Sequence, residues 1–186
     1  MELTKNRSNI KILKNITTVL LATVILTISA KIKIPFYPVP MTMQTFVILL
    51  IGITFGYKIG LATVTLYLFE GIIGLPVFAN SPEKGIGLSY FTGPTMGYLI
   101  GFLVAVYLSG SFKYDKGVIN TFLKLILSVS VIYVFGLLWL GTLIGWEKPI
   151  FKLGAQPLLL AELFKILLLL FLTPVLLKTK KLLKIT

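Results

Sequence analysis

The stretch Gln44–Ile73, QTFVILLIGITFGYKIGLATVTLYLFEGII, decides the architecture. Two apolar runs, Gln44–Phe55 and Tyr57–Ile73, meet at Gly56, Tyr57 and Lys58, so as helices they must join through a very tight turn. The same pattern extends in both directions. Apolar runs recur at Ile16–Ala30, about Pro94–Leu108, about Phe122–Ile144 and about Leu158–Leu177. The 186 residues are 56% hydrophobic and 13% charged, against roughly 45–50% and 25% in soluble domains. Mean hydropathy is +0.96. A bilayer-spanning helix needs roughly 20 apolar residues. The chain therefore reads as an all-α integral membrane protein, a single bundle of six transmembrane helices over residues 1–186. The spans are expected at about 12–34, 43–55, 57–73, 94–112, 118–145 and 156–177.

Between the first two runs lies IPFYPVPMT, whose Pro35, Pro38 and Pro40 break the helix and stiffen the turn. The longest polar interruption is Gly74–Gly93, GLPVFANSPEKGIGLSYFTG. A third outer loop holds Trp146, Glu147, Lys148, Pro149 and Lys152. The first run starts too late and is too long for a signal-peptide core. An even number of spans puts both termini on one side. Twelve cations fall on that side (Lys5, Arg7, Lys11, Lys14, Lys58, Lys113, Lys116, Lys124, Lys178, Lys180, Lys181, Lys184) and six on the other (Lys31, Lys33, Lys84, Lys148, Lys152, Lys165). The positive-inside rule then makes both termini cytoplasmic. Basic ends flanking apolar runs are topology and anionic-lipid signals, so the net charge of +12 does not imply nucleic acid.

The absences narrow the chemistry. Histidine and cysteine are missing, which removes the commonest general base, thiol nucleophiles and Cys/His zinc sites. The carboxylates are Glu2, Glu70, Glu83, Asp115, Glu147 and Glu162. No glycine is followed by lysine, so the chain lacks a P-loop, and GxGxxG is absent too. Neither a metal site nor a resident cofactor is expected, nor an enzyme.

Small residues predict how the helices pack, because in lipid only close approach draws them together. Gly52, Gly56 and Gly60 repeat at four-residue spacing, as do Gly93, Gly97 and Gly101, and Gly141 with Gly145; internal packing is the simplest reading. In the first run, Thr18, Ala22, Ser29 and Ala30, with Thr23 and Thr27 alongside, could pack internally or form a face for another membrane subunit.

Ionisable groups inside spans are costly and mark candidate sites. Glu162 and Lys165 lie one turn apart near the start of the sixth run and share a face. They are either a helix-start carboxylate with a snorkelling lysine or an acceptor–donor pair lining a pocket. Gln44, Glu70 and Asn80 fall on the same, outer half. Around them stand Phe36, Tyr37, Phe78, Tyr90, Phe91, Tyr98 and Trp146. Singly these suit an interfacial belt; together, under two Gly/Pro-rich loops, they suit a capped pocket for a small amphipathic molecule.

Three motifs in register, IPFYPVPMTMQTFVILLIG (34–52), GIIGLPVF (71–78) and GPTMGYLIGF (93–102), resemble the BioY family. These are the substrate-binding S components of energy-coupling-factor (ECF) biotin transporters. The family's D-x-x-K near the last span is matched by Glu162 and Lys165, with a carboxylate reaching one methylene further. Glycines usual after GLPVF are replaced by ANSPEK. The resemblance implies a multi-pass protein of a prokaryotic cell membrane that captures biotin at its outer face. Glu162 would accept from a ureido N–H and Asn80 would donate to the ureido oxygen. Lys165 would orient Glu162 or neutralise the ligand carboxylate, and Gln44, Phe78, Tyr90 and Tyr98 complete the site. It also implies coupling to a transmembrane T component and two cytoplasmic ATPases, which alone would use ATP, with Thr18 and Ala22 as the docking face. The alternative is a biotin facilitator or carrier working without the ATPases. A membrane-embedded enzyme is the third reading, and it lacks an activated group.

Overall fold

A computed structural model describes residues 2–182, with side chains placed from residue 9 to 181. Lys184 lies outside the described residues, and so do the side chains of Lys5 and Arg7. The elements in chain order are α1 (Glu2–Lys31), β1 (Lys33–Ile34), β2 (Met41–Thr42), α2 (Gln44–Ile72), a 3-10 turn at Gly87–Thr92, α3 (Met96–Ser111), α4 (Gly117–Ile144), α5 (Ile150–Gly154), a 3-10 turn at Gln156–Leu158 and α6 (Leu159–Leu182).

Four helical stretches among the described residues are long and apolar enough to cross a membrane: Asn9–Lys31, Gln44–Ile72, Gly117–Ile144 and Ile150–Lys181. Met96–Ser111 is a shorter apolar helix. Length alone would count α2 as one crossing, but its geometry is that of a hairpin. Gly56 sits at φ 79°, ψ 170° inside it, a conformation open essentially to glycine alone. Beyond this break the arms fold back on each other: a Cβ on Gly60 would lie 3.8 Å from Gly52 Cα, where a straight helix would hold two residues eight apart at ~12 Å. The side chains of Gln44 and Tyr67 meet at 2.9 Å for the same reason.

Gly52, Gly60, Gly97 and Gly101 pack inward against neighbouring helices. A Cβ on Gly52 would fall 2.1 Å from Ser109 Oγ, and one on Gly97 would fall 2.3 Å from the Phe135 carbonyl oxygen. On Gly101 it would meet Ile132 Cα at 2.7 Å. These contacts seat α3 between α2 and α4. One face of α1 and one of α4 instead point outward, with Leu20, Val24, Ile28, Leu127, Val134 and Leu138 all exposed. Fully buried Ile48, Leu49, Tyr67, Leu125, Ile132 and Leu169 form the core. An apolar outside around a packed interior is the arrangement lipid favours.

Ala22, expected with Thr18 at a docking face, is 3% exposed and belongs to the internal core, where α1 packs on α2. Thr23, Ser29 and Ala30 are buried too, and Thr23 Oγ1 donates to Glu70 Oε1 at 3.0 Å. Thr18 is half-buried and donates to its own helix at the Lys14 carbonyl.

Candidate functional site

The β1–β2 ribbon pairs Lys33 with Thr42 and Ile34 with Met41. It delivers the chain to the start of α2, where Thr45 occupies the first turn. Across from it, the first turn of α6 carries Glu162. Glu162 is 5% and Lys165 4% exposed. Lys165 Nζ donates to Glu162 Oε1 at 2.5 Å, to Thr45 Oγ1 at 2.8 Å and to the Thr42 carbonyl at 2.8 Å. Thr45 in turn donates to Glu162, 2.9 Å from Oε2 and 3.1 Å from Oε1. Burying two charges is tolerated only when they are paired and their remaining valences filled. Lys165 meets that condition completely, since an ammonium has three donors. Glu162 does not: its oxygens offer about four acceptor sites, and the carboxylate faces open space.

That space is a small, partly open cavity of about 50 Å3. Gln44, Thr45, Tyr90, Tyr98, Tyr133 and Glu162 line it with polar groups, while Val39, Met41, Leu99, Phe102 and Leu158 supply apolar wall. Each aromatic is held from behind. Tyr98 donates to the Gly154 carbonyl at 2.8 Å and meets Tyr133 edge to face at 5.9 Å. Gly136 is what admits its ring, since a Cβ there would lie 2.4 Å from Tyr98 Cε1. Tyr133 lines the cavity together with Glu162. Tyr90 stacks on Phe78 with centroids 4.7 Å apart, and its oxygen accepts from the Asn80 backbone N–H at 3.4 Å. Burial raises the Tyr90 phenol above its ordinary pKa, so it stays a neutral donor. Gln44 is committed to the scaffold: Nε2 donates to Tyr67 Oη at 2.9 Å, and Oε1 accepts from Thr42 Oγ1 at 3.2 Å.

The structure thus brings Gln44, Tyr90, Tyr98 and Glu162 to the cavity, with Lys165 directly behind Glu162. Phe78 and Asn80 are not in its lining. Phe78 is 1% exposed, packed behind Tyr90 and against Tyr67 and Phe91. Asn80 lies on a loop clasped by two lysines: Lys31 Nζ donates to the Phe78 and Ser81 carbonyls at 2.7 and 2.8 Å, and Lys33 Nζ to the Ala79 carbonyl at 2.6 Å and Asn80 Oδ1 at 3.3 Å. Sequence reasoning missed Thr45 and Tyr133. Thr45 sits inside a quoted motif, yet nothing in sequence links it to Glu162, 117 positions away; Tyr133 is one aromatic in an apolar run. Among the described residues no group of acidic side chains could hold a metal ion.

A predominantly helical, apolar-faced bundle enclosing a small cavity with one charged group defines a membrane-embedded solute-binding protein. Comparison with known proteins makes this specific. The BioY family model matches residues 3–182, and the chain belongs to the BioY family. It is 32% identical to a protein of Pyrococcus horikoshii described as "Probable biotin transporter BioY", over 82% of this chain and 89% of that one. It is also 32% identical to the biotin transporter BioY of Thermotoga maritima, over 77% and 84% of the two chains. A crystal structure of the S-component for biotin from an ECF-type ABC transporter superposes with a TM-score of 0.76 at 25% identity, covering 91% of this chain and 94% of that one.

Proposed function

We propose that the chain is the biotin-binding S component of an ECF-type uptake transporter. It would cross the membrane six times, with both α2 arms and the shorter α3 counted as crossings and both termini in the cytoplasm. The observation that carries the reading is Glu162, a buried carboxylate with unfilled acceptor sites facing a cavity walled by tyrosines. Biotin's bicycle and valeryl chain suit aromatic and aliphatic walls, and its ureido N–H groups suit a carboxylate acceptor. In this reading Glu162 accepts from the ureido N–H, Lys165 and Thr45 hold the carboxylate in place, and Tyr90 is available to donate to the ureido oxygen. Asn80, clasped outside the lining, positions Tyr90 through its backbone instead. The sequence has no nucleotide motif, so inward movement draws on ATPases bound through a T component.

Glu162→Gln tests the assignment. A hydrogen bond to a charged group contributes about 1.5–3 kcal/mol, so calorimetry on the detergent-purified protein should show biotin affinity falling roughly ten- to hundredfold. Unchanged affinity would reduce Glu162 to a structural partner of Lys165. Biotin uptake by the isolated protein in liposomes without ATP would contradict the coupling to ATPases.

A further inference from the structure

Among the described residues that line the cavity, one carries a charge, and it is acidic: Glu162. The lysines nearest the cavity are already committed. Lys165 spends all three N–H groups on the Thr42 carbonyl, Thr45 Oγ1 and Glu162. Lys31 and Lys33 hold the Phe78, Ala79 and Ser81 carbonyls, and Lys33 lies 4.0 Å from the Glu83 carboxylate. Turning Lys165 toward a ligand would break a charge-assisted bond of a buried ion pair. A ligand carboxylate drawn into the cavity would lose its hydration beside Glu162 and find only neutral donors.

From this commitment of the lysines we infer that the cavity reads the ureido ring of biotin and leaves its carboxylate unread, so that tail-neutral derivatives, amides and esters of biotin, belong to the same substrate class. The inference rests on the biotin reading above. The valeryl tail points to the mouth, where its carboxylate stays in water, and neutralising it removes no protein contact. A bound cation reading the tail would instead impose a ten- to hundredfold loss on neutralisation.

Isothermal titration of the full-length, detergent-purified protein with biotin, biotinamide and biotin methyl ester decides the point. We expect both neutral derivatives to bind no more than fivefold weaker than biotin. A loss greater than fivefold for either one overturns the inference while leaving biotin binding, and so the proposed function, intact. Failure of biotin itself to bind removes both.

Discussion

Thr45 shows how much one hydroxyl can decide. Its oxygen accepts from Lys165 and its proton goes to Glu162, so it fixes the carboxylate at a second point beside the ion pair. Valine keeps the shape and removes both bonds; serine keeps both and removes only a methyl. We expect Thr45→Val to weaken biotin binding about tenfold, at the lower end for bonds to charged groups, and Thr45→Ser to stay within about twofold of the parent. Equal affinities for the two variants, measured by calorimetry, would exclude the hydroxyl from the site. At this scale the sequence was readable where chemistry and helical spacing coincide. Glu162 and Lys165 announce themselves as charges one turn apart in an apolar run, whereas Thr45 and Tyr133 become site residues only through the packing of α2 and α4 against α6. Asn80 was readable as a polar residue of the outer loop, but its side-chain oxygen is taken by Lys33 of another segment.

The helices were legible because lipid demands long apolar runs: α3 covers 96–111 where 94–112 was expected and α4 covers 117–144 where 118–145 was expected. By contrast, α1 begins at Glu2 rather than near 12 and α6 ends at Leu182 rather than 177. The turn at Gly56 was legible too, since a polar, glycine-bearing step between two apolar runs leaves few conformations. Which way a small-residue face points was not, because the same spacing serves internal packing and an external partner equally. Ala22 settles inward. A tryptophan there has no space to occupy, and overpacking of this kind costs about 1–3 kcal/mol or more. For a chain of this size each kcal/mol lowers Tm by roughly 2–4 °C. Thermal unfolding of Ala22→Trp in detergent should therefore show a Tm several degrees or more below the parent, with weakened biotin binding. A variant with parental Tm and binding that fails only to assemble with a T component would restore Ala22 to a docking face.

At the scale of the whole molecule the two ends differ in what their cations do. One end gathers the β1–β2 ribbon, the Gly74–Gly93 loop and the cavity. There Lys31, Lys33 and Lys165 are bound to protein acceptors. At the other end a Cβ on Gly56 would lie 3.7 Å from Lys180 Nζ, and one on Gly110 would meet Tyr57, so the α2 turn, the end of α3 and the end of α6 converge. Lys58, Lys113, Lys116, Lys124, Lys178, Lys180 and Lys181 belong to this end. Three of the six cations assigned to the cavity end are thus engaged in structure. Because the chain has no cysteine, single cysteines can report each end. Ser81 is unsuitable at 3% exposure, but Lys84 and Asp115 are exposed on opposite ends. With an impermeant thiol reagent on intact cells, Lys84→Cys should label and Asp115→Cys should label only after the membrane is opened. The reverse pattern would place the cavity in the cytoplasm and rule out capture of biotin from outside.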